Sequence, residues 1–251
     1  MKIDELKRLS GRKKIPQGII YKDYVIAVVL EQISKGPYWN DLIFKGGTCL
    51  KKIYFEKTRF SVDIDFTCTR ENVSDELLDD LKENLEDKTI RRITFGDIKE
   101  DQGWGDSVSF KLRYYDLNEH PNSVKIDLSF REQPVLKPEL RDVLIPDYGW
   151  IDNFELYVFP LKEILAEKAR AIVTRKAARD VFDVWFLLKR GVELDLGLVE
   201  KKMDIYDDEF DMDGFFDKID EKEGDWERDL RMLVPEAPDF ETVKEEIRSM
   251  L

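Results

Sequence analysis

The sequence predicts an α/β (α+β) fold: a small mixed sheet flanked by helices over residues 1–155, then a helical domain over 156–251. Three observations predict it. Residues 41–69 read as one strand–helix–strand unit. Leu42-Ile43-Phe44 is an apolar run, Cys49, Leu50, Ile53 and Tyr54 share a helical face, and Ser61 to Phe66 alternates as a strand does. Three further runs, 90–97, 107–115 and 123–130, alternate apolar and polar residues as antiparallel strands do. From Leu161 onward the apolar spacing is that of helices.

In chain order, residues 3–14 read as a short helix with a basic end, Arg12-Lys13-Lys14, which suits a solvated arm. Residues 17–34 are a stronger helix with Tyr21, Tyr24, Val25, Val28 and Ile33 on a wide apolar face, and Gly36 suits the position after its end. Ser74 supplies an N-cap for a helix running to about Leu85. Gly103 and Gly105 bracket one turn and His120-Pro121-Asn122 makes another. Pro134, Pro138 and Pro146 mark a connecting region. A last short strand at 154–159 ends at Pro160, a residue suited to a first helical turn. Helices are expected at 161–175 and 177–189, with acidic helices near 196–205, 210–221, 224–233 and 239–250.

Charge is placed unevenly. Residues 1–190 hold 33 basic and 33 acidic side chains, whereas 191–251 hold 8 and 21, so the whole net charge of −13 sits in the last quarter. That excludes broad nonspecific nucleic-acid binding, and an RNA substrate needs a local basic patch. The apolar run 25–30 is too short to span a bilayer, and the first residues lack the apolar segment of a signal peptide, so the expected location is cytoplasmic. Cys49 and Cys68 fall on core-facing positions and read as reduced packing residues. His120, the only histidine, sits in a turn, which excludes any mechanism that needs a pair of histidines, such as a zinc site of several His ligands.

The chemistry concentrates in residues 45–65. Gly46-Gly47 between a strand and a helix lets backbone N–H groups approach an anion, and Thr48 adds a hydroxyl. Alone, the glycines read better as a tight turn. Asp63 and Asp65, two residues apart on a strand, point the same way while Val62, Ile64 and Phe66 face the core. Two adjacent carboxylates are stable mainly with a cation between them, although a solvated strand edge is the alternative for the pair alone. Phosphate cradle and paired carboxylates together suit Mg²⁺ (or Mn²⁺) and a nucleoside triphosphate. Later in the chain, Lys168 falls inside the apolar stripe of Leu161, Ile164, Leu165 and Ile172, and needs a partner or a ligand. Asp180 and Asp183 either pair with Lys168, Arg170 or Arg179 as a structural network or serve an active site. Glu209, Asp211, Asp213, Gly214 and Asp220 resemble a calcium loop only faintly, and a solvated helical face is the preferred reading.

The string Lys45-Gly-Gly-Thr … Arg59-Phe-Ser61-x-Asp63-x-Asp65-Phe66, with the later block Glu163 to Arg170 and Ala177-Ala-Arg179-Asp180 to Asp183, resembles the AbiEii/AbiGii (MenT-like) nucleotidyltransferase toxins. These have a DNA polymerase β-like fold, and the resemblance covers roughly residues 40 to 190. It implies transfer of a nucleoside monophosphate from an NTP to an acceptor hydroxyl by the toxin of a toxin–antitoxin or phage-defence pair. The acceptor would be tRNA or another RNA, and the partners an NTP and a cognate antitoxin. Asp63 and Asp65 would bind the metal, and Gly46, Gly47, Thr48, Lys51, Arg59 and Ser61 the nucleotide. Lys168 and Asp180 would be catalytic. In that fold a third carboxylate comes from a strand beside the Asp-x-Asp strand. Asp127, in the alternating run Val124 to Phe130, is its candidate, against an ordinary polar strand face. Lys51 and Lys52 both follow Thr48, and the sequence leaves open which one faces the phosphates. Transfer to a small molecule or a protein side chain, and nucleotide binding without catalysis, are the rival readings.

Overall fold

A computed structural model of the chain describes residues 1–70, 74–101 and 107–251, so the turn expected at Gly103 and Gly105 lies outside the described residues. Two compact units emerge. The first comprises Met1–Gln133 and Pro138–Val158, the second Pro134–Lys137 and Phe159–Leu251.

The first unit carries an eight-stranded mixed sheet among the described residues: β1 (Leu42–Lys45), β2 (Asp63–Cys68), β3 (Thr89–Ile90), β4 (Ile93–Asp101), β5 (Ser107–Tyr115), β6 (Pro121–Ser129), β7 (Glu139–Asp142) and β8 (Glu155–Val158). Its order is β3-β4-β5-β6-β2-β1-β8-β7. β2 runs antiparallel to β1 and parallel to β6, so the Asp-x-Asp strand lies centrally. Period-2 alternation gives the sheet a buried face bearing Phe44, Ile64, Phe66, Phe110, Leu112, Ile126 and Leu128. The expected strand at 90–97 is two strands. Arg91 and Arg92 adopt left-handed φ of 46° and 65° and turn the chain between β3 and β4. Positive φ at two arginines is not legible from alternation. The edge strand β7 was also not anticipated, because only Leu140 in it is apolar and it is exposed.

Helices α1 (Ile3–Lys13), α2 (Gln17–Ile33) and α4 (Ser74–Leu85) belong to the same unit. α2 is buried on nearly all sides because it packs on α1, α4 and β6 together. The expected single helix after the glycines is a short α-helical turn, α3 (Gly46–Cys49), running into a π-helical turn, Leu50–Tyr54. The wider turn accommodates two buried lysines in succession. Lys52 donates to Asp23 Oδ2 of α2 at 2.7 Å, and the Tyr148 hydroxyl donates to the same oxygen at 2.7 Å. Cys49 and Cys68 are buried and form no disulfide.

The second unit holds α5 (Leu161–Thr174), α6 (Arg179–Lys189), α7 (Leu196–Asp204), α8 (Met212–Asp220), α9 (Glu223–Leu230) and α10 (Phe240–Met250). Glu163 and Lys202, both fully buried, pair at 2.6 Å across α5 and α7. The Glu163 carboxylate also accepts the N–H groups of Val135 and Leu136 at 2.8 and 2.9 Å, which fastens the Pro134–Lys137 segment to these helices. Asp211 caps α8 by accepting from the N–H groups of Asp213 and Gly214, so the acidic run that resembled a calcium loop is a helix start.

A buried ion pair that loses one partner leaves an uncompensated charge inside the protein. Asp23→Ala, which strands Lys52, is therefore expected to lower unfolding free energy by about 3–5 kcal/mol in urea denaturation of the full chain. A loss under about 1 kcal/mol would show that the Lys52 charge finds water at no cost.

Candidate active site

The expected nucleotide-site residues of the first unit converge through the packing of residues 45–48 against 59–65. Lys45 is the direct cross-strand partner of Asp65. Gly46 has φ +76°, and a Cβ there would collide with the Asp65 carboxylate. A Cβ on Gly47 would lie 2.5 Å from Arg59 Nη2 and 3.2 Å from Ser61 Oγ. Thr48 donates its hydroxyl to the main-chain carbonyl of Asp63. Gly46 is favoured by both the close approach of Asp65 and its left-handed φ, whereas a side chain at Gly47 would have to push the end of Arg59 aside. The buried Arg59 is held in part by donating to the Phe60 carbonyl at 3.1 Å.

Asp63 and Asp65 lie half-exposed on one face of β2, with Ile64 and Phe66 buried on the other. Val62 precedes the strand and is half-buried, outside the alternation expected of it. Asp127 on β6 is the direct parallel neighbour of Asp65, and Lys125 is the neighbour of Asp63. Asp127 Oδ1 accepts from Lys125 Nζ at 2.8 Å and from the Ser109 hydroxyl. Burial opposes the Lys125 charge, but Asp127, Asp63 and Asp65 together hold its pKa above the ordinary lysine value. Sequence reasoning missed this counter-ion, although Lys125 and Asp127 stand two residues apart on a strand and so share a face. It also missed the buried pair of Lys45 with Glu132 beside Asp65.

Lys52 is committed to Asp23, whereas Lys51 donates to the Glu56 carbonyl and lies 4.3 Å from the Phe60 ring centre. Burial draws the Lys51 ammonium down to about 8. Of the two lysines, Lys51 is thus the one without a carboxylate salt-bridge partner among the described residues.

Among the described residues no three Asp, Glu, His or Cys side chains are gathered to hold an ion by themselves. The donor set is a carboxylate pair. It fits Mg²⁺, which is commonly held by one or two carboxylates together with substrate phosphates.

In the second unit, Lys168 of α5 pairs with Asp180 and Asp183 of α6, each at 2.8 Å, and all three are buried. Arg175 forks onto both oxygens of Asp180, at 2.7 and 2.8 Å. The expected alternatives for Asp180 and Asp183 thus meet in one network with Lys168, joined by Arg175, which sequence reasoning did not include. Arg170 Cζ stands 4.5 Å from the Tyr206 ring centre.

A glycine turn between strand and helix, an Asp-x-Asp strand at the centre of a mixed sheet and a following helical unit make up the architecture of a nucleotidyltransferase. The model of the family described as nucleotidyl transferase AbiEii toxin, type IV toxin–antitoxin system, matches residues 28–246, and the chain belongs to that family. Its structure is similar to MenT4, a nucleotidyltransferase toxin from Mycobacterium tuberculosis, with a TM-score of 0.78, 20% identity, and coverage of 100% of this chain and 88% of that one. It is also similar to JHP933 from Helicobacter pylori, with a TM-score of 0.64, 20% identity, and coverage of 94% and 91%. Comparison with curated sequences gives no match.

Two expected outcomes follow from these geometries. Gly46→Ala is expected to cost about 1–3 kcal/mol of stability through its left-handed φ and to displace the Asp65 carboxylate; an unchanged urea midpoint would remove the close-approach argument. For Asp180, burial raises the pKa, but Lys168 and Arg175 reverse this and hold the carboxyl well below its ordinary 3.8. Its contribution to stability is therefore full above that ordinary value and is lost as pH falls through the lower folded value. The urea midpoint is expected to drop steeply from about pH 4 to about pH 2, and less steeply in Asp180→Asn. Parallel profiles would show that another carboxylate dominates acid unfolding.

Proposed function

We propose that this nucleotidyltransferase is metal-dependent and transfers a nucleoside monophosphate from an NTP to a hydroxyl of tRNA or another RNA. In this reading it is the toxin of a toxin–antitoxin or abortive-infection pair with a cognate antitoxin. The single observation that carries the proposal is the convergence of Gly46-Gly47, Arg59, Ser61, Asp63 and Asp65 in one strand–turn–strand unit. Asp63 and Asp65 would hold Mg²⁺ or Mn²⁺, which when bound neutralises charge on the triphosphate oxygens.

The chain's own groups divide the remaining work. Main-chain N–H groups at Gly46, Gly47 and Thr48, with Lys51, Arg59 and Ser61, orient the triphosphate. The acceptor oxygen forms a bond to the α-phosphorus, the bond from that phosphorus to the bridging oxygen breaks, and pyrophosphate leaves. Asp127 takes the proton of the attacking hydroxyl. The Thr48 hydroxyl, already donated to the Asp63 carbonyl, acts by fixing the start of β2. In the helical unit, Lys168 and Asp180 are the catalytic candidates carried over from the family resemblance, and their 2.8 Å pairing lets Asp180 orient Lys168.

The test is incubation with each α-labelled NTP, Mg²⁺ and total tRNA. Label is expected in RNA with the intact protein and to fall by at least about 10³-fold in Asp63→Ala. Pyrophosphate without labelled RNA would move the acceptor to a small molecule or a protein, and turnover retained in Asp63→Ala would end the metal assignment. Lys168→Ala is expected to lose activity and, by leaving Asp180 and Asp183 short of a cation, stability as well. Unchanged transfer kinetics in a folded variant would make Lys168 purely structural.

A further inference from the structure

The polar face of the sheet carries a feature that the transfer chemistry does not use. Register places Lys125 beside Asp63, Lys111 of β5 opposite Lys125, and Lys99 of β4 opposite Lys111. Direct cross-strand partners project to one face, so Asp63, Lys125, Lys111 and Lys99 form one row across four adjacent strands. At ~4.8 Å per strand the row spans about 14 Å. Like charges directly opposite are destabilising in a sheet, and here two such pairs follow one another. The next row, Asp65, Asp127, Ser109 and Asp101, carries no lysine on these strands.

The row is accessible. Lys99 is largely solvent-facing and Lys111 is exposed, while Lys125 is half-buried with its ammonium on Asp127. Lys99 pairs with Asp97 at 3.1 Å, and Asp97 also accepts from Arg113 at 3.0 Å, so the far end of the row remains basic. Lys22 of α2 adds a fourth ammonium in the fields of Asp63 and Lys111. The row begins at the carboxylate assigned to the metal and leads away from it, which suits a chain of phosphates better than a single one. In a protein with a net charge of −13, it supplies the local basic patch that an RNA needs.

We propose that the row Lys125, Lys111 and Lys99 is the docking track for the phosphate backbone of a single-stranded RNA acceptor whose reactive hydroxyl lies at the Asp63 end. This deepens the RNA-transfer reading and rests on it for the identity of the acceptor.

The test uses the full chain without NTP and a short fluorescein-labelled single-stranded RNA of mixed sequence, followed by anisotropy over a range of salt. Lys111→Gln is expected to weaken binding about five-fold and Lys99→Gln/Lys111→Gln about twenty-fold. Each substitution should reduce the salt slope by about 0.7, with a thermal midpoint that stays the same or rises as the cross-strand repulsion is relieved. Binding of a fluorescent NTP analogue should be unaffected. An unchanged affinity and slope in the double variant, or no RNA binding by the wild type, would overturn the track. So would intact RNA binding with weakened NTP binding, which would give the row to the triphosphate, or tighter lysine-dependent binding of DNA of the same sequence. The label-transfer assay separates this from the underlying reading: lysine-dependent RNA binding without transfer defeats the enzyme assignment alone, and transfer to RNA with an indifferent double variant defeats the track alone.

Discussion

The close approach of Asp65 and Arg59 to the Gly46-Gly47 turn is the constraint around which the first unit is arranged. A Cβ at Gly46 would meet the Asp65 side chain as far back as its Cβ, one at Gly47 would displace the end of Arg59, and Gly46 also adopts a left-handed φ. The result is a turn clamped from one side by an acid and from the other by a base, with Thr48 tying it to the Asp63 carbonyl. Because β1 and β2 are antiparallel neighbours, this clamp fixes the register that sets Lys45 opposite Asp65 and leaves both aspartates on the accessible face. The buried face of the same strands, Phe44 on Phe66 with ring centres 5.2 Å apart, supplies the apolar packing that holds the register.

Buried lysines are the second theme. Lys52 on Asp23, Lys168 on Asp180 and Asp183, and Lys202 on Glu163 each carry charge into the interior and find carboxylates there. Such pairs are weak evidence for stability, since desolvation opposes them, but losing one partner is strongly destabilising. They bind elements distant in sequence: α2 to the π-helical turn, α5 to α6, and α5 to α7. Lys51 differs. It has a carbonyl and an aromatic face instead of a carboxylate, and burial, helped by the charges of Lys52 and Lys13, draws its pKa down to about 8.

The arrangement of charge on the sheet separates two tasks. On β2 and β6 the carboxylates Asp63, Asp65 and Asp127 stand together with Lys125 as resident counter-ion, while β5 and β4 continue with Lys111 and Lys99. The acidic residues that dominate the net charge are in the last quarter of the sequence, where they cap and solvate helices, as Asp195, Asp211 and Asp239 do. Net charge therefore says little about the surface next to the aspartates.

The sequence by itself determined the Asp-x-Asp strand, the glycine turn, most helix spans and the family, because these depend on local periodicity and on short spacings. The convergence of Arg59 and Ser61 on Gly47 was foreshadowed by the motif, but its steric reason required coordinates. The place of Asp127 beside the Asp-x-Asp strand was already implied by the family resemblance. Tertiary structure alone decided the hairpin at Arg91-Arg92, the π-helical turn, the choice of Lys52 for Asp23 and the addition of Arg175 to Asp180. Each of these depends on which strands and helices are adjacent. Adjacency is set by burial summed over the whole chain and leaves no trace in the spacing of any one segment.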